Sequence, residues 1–195
     1  MISISNAISS FLAFNAFEWI YSSFVEKKLA RNASALTHAT GAVALNALHV
    51  IYPTTSLFTT CRVWSTGYFL YDTYFMARYE KMNTLRMAFI YHHMASIYLI
   101  GFPPDLYFGD QILFWGELSN IPSYFVYHYL RTAPTSTKLA WWLQMQKLIY
   151  AGIRIPILTW ITVNAFRNAP NKFPIIVASP VYLMGLIWTA KLLTK

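Results

Sequence analysis

Charge is what this chain has least of. Asp, Glu, Lys and Arg make up 11% of its 195 residues, hydrophobic types 56%, and the mean hydropathy is +0.39. A soluble domain carries about 25% charged residues, so the deficit points to the membrane class. The length is expected to suit one domain. Cysteine is nearly absent: Cys61 stands alone, which excludes an internal disulfide and a multi-cysteine metal site. No HExxH, Walker loop or GxSxG occurs, nor a GxGxxG after a strand, so those known site patterns are excluded. Five histidines are too few for a histidine-rich di-iron enzyme. A site built from His92, His93 and a carboxylate would be short of ligands, so no metal is expected. The N-terminus lacks the basic start of a secretory signal, and residues 1–26 are expected to persist as a first membrane helix or anchor. The net charge of +8 is spread over the ends of apolar segments and forms no continuous patch. Nucleic acid is therefore not an expected partner, whereas anionic lipid is.

What is present is one apolar run after another. A spanning helix needs about 20 mostly apolar residues. Seven stretches approach that, near 7–25, 34–52, 63–79, 86–102, 110–130, 139–163 and 173–193. The first carries Asn15, Glu18 and Ser22 on one face. It is expected either to pack on the bundle or to lie in the interface. The second is rich in small residues, which let helices approach closely. Pro122, Pro156 and Pro180 fall inside segments, where each removes a backbone donor and bends its helix. Such bends can shape a cavity, but membrane helices also tolerate proline without any role for it.

With the N-terminus outside the cytoplasm, ten basic residues fall on the cytoplasmic side: Lys27, Lys28, Arg31, Arg78, Lys81, Arg86, Arg131, Lys138, Lys191 and Lys195. Three, Arg62, Arg167 and Lys172, fall on the other. That bias places the C-terminus in the cytoplasm and the acidic loop 102–110 outside. It also keeps the sequon Asn32-Ala33-Ser34 away from glycosylation, so an N-glycan on Asn32 would overturn the topology.

Ionisable groups at membrane depth are costly and turn toward a protein interior or a wet cavity. The stretch 64–100 reads as two helices around a short basic turn, with Asp72 in the first and the pair His92 and His93 in the second. Adjacent residues on a helix point about 100° apart, so one imidazole can line a cavity while the other supports it. Ser96 lies within reach of either. An imidazole can serve as acid, base, nucleophile or metal ligand; the other reading is a structural pair bonded between helices. Asp72, with Tyr68 one turn earlier, needs a cation or several donors to stay charged when buried. It can orient a histidine or pair with Arg154 or Lys147. Glu117, Asn120 and Tyr124 share a face and read as a second polar wall. The second segment offers His38, Asn46 and His49; the sixth offers Gln144, Lys147, Tyr150 and Arg154 as one stripe. His128, near a helix end, reads as interfacial. Four polar stripes on apolar segments imply an all-α bundle with a polar interior.

Taken in order, Thr37-His38-Ala39, Gly67-Tyr68-Phe69 with Asp72, His92-His93, Glu117-Leu118-Ser119-Asn120 with Pro122, Arg154, and Gly185-Leu186-Ile187-Trp188 resemble the TLC-domain family over about residues 34–195. That family includes ceramide synthases, translocating-chain-associating membrane proteins and smaller proteins tied to membrane lipid composition. The resemblance implies a polytopic transmembrane bundle, a six-helix barrel around a central cavity over 34–195. It would be preceded by a transmembrane or interfacial helix and basic loop over 1–33. It implies a lipid-related role in the endoplasmic reticulum or a related membrane. In ceramide synthases the histidine pair belongs to the reaction centre that transfers an acyl group from acyl-CoA to a sphingoid amine. The matching residues here are His92 and His93, with Ser96 in place of a threonine. Where that pattern continues His-Asp-x-x-Asp, this chain has Gly116-Glu117-Leu118-Ser119-Asn120. The smaller TLC-domain proteins carry Glu-Leu-Ser followed by proline, and the chain is closer to that branch.

Two functions follow as expectations. One is a lipid-binding protein that affects membrane lipid composition, with sphingolipid or phospholipid as partner. Its cavity would be lined by Tyr68, Ser96, Asn120, Tyr124, His38, Lys147 and Arg154. The other is an acyltransferase acting on a lipid amine or alcohol. There His92 or His93 would be base or acyl carrier, Asp72 or Glu117 would orient it, and Lys147, Arg154 or the basic loops would attract the CoA phosphates. No cofactor is called for; acyl-CoA would be the co-substrate.

Overall fold

The structure, a computed structural model, describes residues 3–101 and 107–194. Most of the acidic loop 102–110, with Pro103 and Pro104, and the last basic residue, Lys195, lie outside the described residues. Seven helices and no strand are present among the described residues. They are α1 (Ile4–Ser22), α2 (Lys27–Ile51), α3 (Thr55–Tyr79), α4 (Thr84–Gly101), α5 (Tyr107–Thr132), α6 (Thr137–Asn168) and α7 (Phe173–Leu193). They match the seven apolar stretches one for one, and the chain is all-α as expected.

Helix α2 begins seven residues before its apolar stretch, at Lys27, and α3 eight before, at Thr55. Each opens on two polar residues, Lys27-Lys28 and Thr55-Ser56. The backbone ladder is indifferent to that, and Thr54 caps α3 by accepting from the Leu57 N–H at 3.2 Å. Helix α6 changes pitch once, in a π turn at Ile153–Ile157 that contains Pro156. Proline has no N–H to give to the preceding turn, and a wider turn is one way a helix absorbs the loss.

Two helices, α6 and α7, are long and apolar enough to cross a membrane among the described residues. The others carry too much Tyr, Trp, Ser, Asn, His or charge. Only 28% of the apolar window of α6 and 22% of that of α7 is buried inside the structure. Core helices of a water-soluble fold would instead hide their apolar residues. Here Leu148, Trp160, Phe166, Ile176, Leu183 and Ile187 all point outward.

The chain divides into two compact units, Met1–Leu106 and Tyr107–Lys195. In the first, α3 is the hub, with α1, α2 and α4 all packed on it. Residues 65–69 are buried without a break. Five consecutive helical positions sweep the whole circumference, so over that stretch α3 is covered on every side. Small residues permit this. Apart from His38, the inner face of α2 is Ala30, Ser34, Ala35, Ala39 and Ala42. At Gly41 an added Cβ would lie 2.7 Å from the Trp64 indole nitrogen. At Gly67 it would run into the Ser10 side chain and lie 2.7 Å from the Phe11 backbone nitrogen. Thus α1 packs on the bundle, with Phe14 and Glu18 turned inward. In the second unit α5 lies along α6, and α7 packs on α6. Its core is Ile153, Leu158 and Ile161, closed by Trp115 and Tyr182.

Candidate functional site

Each unit holds one cluster of the polar residues singled out from the sequence. In the first unit the centre is Asp72 on α3, 4% exposed. Arg31 of α2 takes its carboxylate in a fork: Nε donates to Oδ1 at 2.5 Å and Nη2 to Oδ2 at 2.9 Å. The remaining nitrogen, Nη1, donates to Glu80 Oε1 at 2.6 Å. Arg86, on α4, closes on the other oxygen of Glu80. Two carboxylates and two guanidiniums therefore alternate, and their charges cancel. The forked geometry is the strong form of such a pair.

The cation on Asp72 is thus Arg31, a correction to the expected Arg154 or Lys147. Hydropathy starts the second segment near 34 and leaves Arg31 in a basic loop. Because α2 starts at Lys27, Arg31 is already helical, and its side chain reaches α3.

His93 of α4 is 5% exposed. Its Nε2 lies 3.6 Å from Asp72 Oδ2, and its Nδ1 lies 3.4 Å from Thr73 Oγ1. Phe69 stacks on the ring at 5.2 Å. His38 of α2, fully buried, stacks on Tyr68 at 4.1 Å with the rings nearly parallel, and Tyr68 in turn meets His93 edge-on at 6.3 Å. The structure therefore brings together His38, Tyr68, Asp72 and His93. His92 is half-buried, its ring 5.4 Å from that of His93. One imidazole inside and its neighbour half out is what their angular separation dictates. Ser96 bonds neither ring. Its hydroxyl donates to the main-chain carbonyl of His92 at 2.8 Å, the backward bond that serine commonly makes within a helix.

In the second unit the centre is Arg154, in the π turn of α6. Its Nε donates to Ser119 Oγ at 3.1 Å and its Nη2 to Asn120 Oδ1 at 2.9 Å. Ser119 passes its own hydrogen to the Gly116 carbonyl at 2.6 Å. The guanidinium lies over the Tyr150 ring at 4.1 Å and against Gly185 of α7, where an added Cβ would stand 2.6 Å from Nη1. Glu117 is buried on the same helix as Ser119 and Asn120. Lys147 and Tyr124 are half-buried and do not join the contacts of Arg154. Gln144 is exposed, so the polar stripe of α6 does not extend to it; Gln146 instead bonds Ser123 Oγ at 3.0 Å. On α2, Asn46 bonds the Ala42 carbonyl and the Cys61 sulfur, and His49 packs on Phe58. His128 is exposed near the end of α5.

Sequence reasoning missed Arg31, Glu80 and Arg86 as site residues, since all three read as loop charges. The available signal was the acid at 80 between basic residues, with Arg31 just ahead of a segment rich in small residues. Among the described residues no group of three His, Cys, Asp or Glu stands close enough to hold a metal ion. Chemically, both ring nitrogens of His93 face polar partners and its face is covered, which suits a fixed strut. The half-buried His92 is the more accessible imidazole. Comparison with family models, with curated proteins and with solved structures finds no match.

Proposed function

We propose that this chain is a multi-pass membrane protein of TLC type that binds lipid among its helices and influences membrane lipid composition. It would reside in the endoplasmic reticulum or a related endomembrane, with the C-terminus in the cytoplasm. One observation carries this reading: polarity is inverted. Asp72, His93, His38 and Glu117 are buried, while Leu148, Trp160, Phe166, Ile176, Leu183 and Ile187 are exposed. Apolar surface left in water costs about 25 cal/mol per Å²; against acyl chains that cost vanishes. The motif order resembling the TLC family supplies the lipid role. The enclosure of His93 favours binding over catalysis, because a buried ring covered by Phe69 is shielded from an incoming substrate.

The second reading, an acyl-CoA-dependent lipid N- or O-acyltransferase, rests on His92. It is half-buried beside a buried imidazole, and would act as general base toward a lipid amine or hydroxyl. To test both, the full chain is purified from a host membrane, its co-purified lipid is identified by mass spectrometry, and host lipidomes are compared with those of a His92→Ala, His93→Ala double variant. Bound lipid with unchanged acyl-lipid profiles supports the first reading. An acyl lipid that depends on the histidines supports the second. Neither bound lipid nor a lipidome change overturns both.

A further inference from the structure

Arg154 differs from Arg31 and Arg86, each of which faces a carboxylate. A guanidinium has five N–H groups, and here two are used, both on neutral oxygens. Three remain, including both on Nη1. Among the described residues no carboxylate lies within ion-pair distance of Arg154. Nη1 is not among the polar atoms wholly cut off from the outside, and Gly185 leaves bare backbone beside it. The residue also stands at the middle of α6, roughly 25 Å from one end and 21 Å from the other at about 1.5 Å per residue. Its surroundings there are Tyr150, Ile153 and outward-facing apolar side chains. Ser119 and Asn120 fix the plane of the fork, and its outer nitrogen, Nη1, packs beside Gly185 without a hydrogen-bond acceptor among the described residues. A planar fork with unused donors matches the two oxygens of a carboxylate or phosphate. A bare inorganic anion would have to shed its water to reach such depth, whereas an anion on an acyl chain reaches it through the lipid.

We propose that Arg154, held by Ser119 and Asn120 and left room by Gly185, is a binding site for an oxyanion borne on an acyl chain, either a fatty carboxylate or a lipid phosphate monoester. The proposal rests on the lipid-binding reading and names the chemistry of the ligand. It assigns the bound lipid its charged end and Arg154 the role of its counter-ion.

The test uses the full chain in phosphatidylcholine nanodiscs. It is titrated separately with oleate, dioleoyl phosphatidic acid, uncharged oleyl alcohol and sodium phosphate, with ligand-dependent shift of the unfolding temperature as readout. The wild type is expected to bind at least one of the two lipid anions tenfold or more tighter than oleyl alcohol. A response to oleate alone identifies a fatty acid; a response to phosphatidic acid alone identifies a lipid headgroup. Arg154→Gln should abolish the preference for anions and leave oleyl alcohol binding as it was. Asn120→Asp gives the guanidinium a carboxylate of its own and should abolish the preference with the cation still present. Arg154→Lys, which keeps the charge, should retain part of it. An anion preference unchanged in Arg154→Gln and Asn120→Asp overturns the site, as does protection by sodium phosphate equal to that by the lipid anions. Binding of oleyl alcohol without any preference for anions overturns the site and leaves the lipid reading standing. Binding of no amphiphile at all overturns both.

Discussion

The two units solve the same difficulty, charge inside an apolar chain, in opposite ways. In the first, Arg31, Asp72, Glu80 and Arg86 alternate in sign and pair with one another. The second leaves one guanidinium among a hydroxyl, an amide oxygen and an aromatic face, all neutral. A balanced cluster depends on each of its members, because removing one strands the rest. A cation held only by neutral groups contributes little to the fold and keeps its attraction for something else. The lesson is that burial alone does not mark a functional charge; the balance of its surroundings does.

Four substitutions would break or sharpen that contrast. The largest effect is expected for Asp72→Ala, which leaves Arg31 facing His93 with half its partners gone. Loss of about 3–5 kcal/mol is expected, read as the shift in denaturation midpoint in detergent. Next is Gly67→Ala, which tests the packing that holds the first cluster. The new methyl meets the α1 backbone at Phe11, and overpacking of that kind costs about 1–3 kcal/mol. Gly41→Ala meets the movable Trp64 side chain instead. It should cost about 1 kcal/mol, mostly the bond from the indole N–H to the His38 carbonyl, 3.1 Å in the wild type. A change in tryptophan emission should accompany it. The smallest effect is expected for Arg154→Met. Two bonds to neutral acceptors are lost and a partly desolvated cation is removed, so the unliganded protein should stay within about 1 kcal/mol of wild type. If Arg154→Met destabilised as much as Asp72→Ala, the contrast between the units would be lost.

How much of this was legible in the sequence depended on range. The seven helices were visible because apolar periodicity is local. The small face of α2 was visible from residue 34 on, since Ala35, Ala39 and Ala42 repeat on one side, whereas Ala30 fell outside the expected segment. The pairing of Arg31 with Asp72 spans 41 residues, and nothing within a turn of either predicts it. Hydropathy also ends a helix at its first charge, which turned Arg31 from a buried partner into a loop residue. The π turn was half legible. Pro156 lies in it, but Pro122 and Pro180 sit inside helices where no such turn forms. A proline alone therefore does not fix the pitch of the turn that holds it. Ser96 was misassigned for a related reason: its carbonyl partner is present in every helix, whereas an imidazole must be turned the right way.

The wrapping of α3 around residues 65–69 bears on how the protein is made. This helix carries Arg62, Asp72 and several tyrosines, and it is not apolar enough to enter oil on its own. Its neighbours α1 and α2 emerge from the ribosome first, and α4 last. A newly made α3 would therefore stand beside α1 and α2, with Arg31 within reach of Asp72, until α4 supplies the third neighbour.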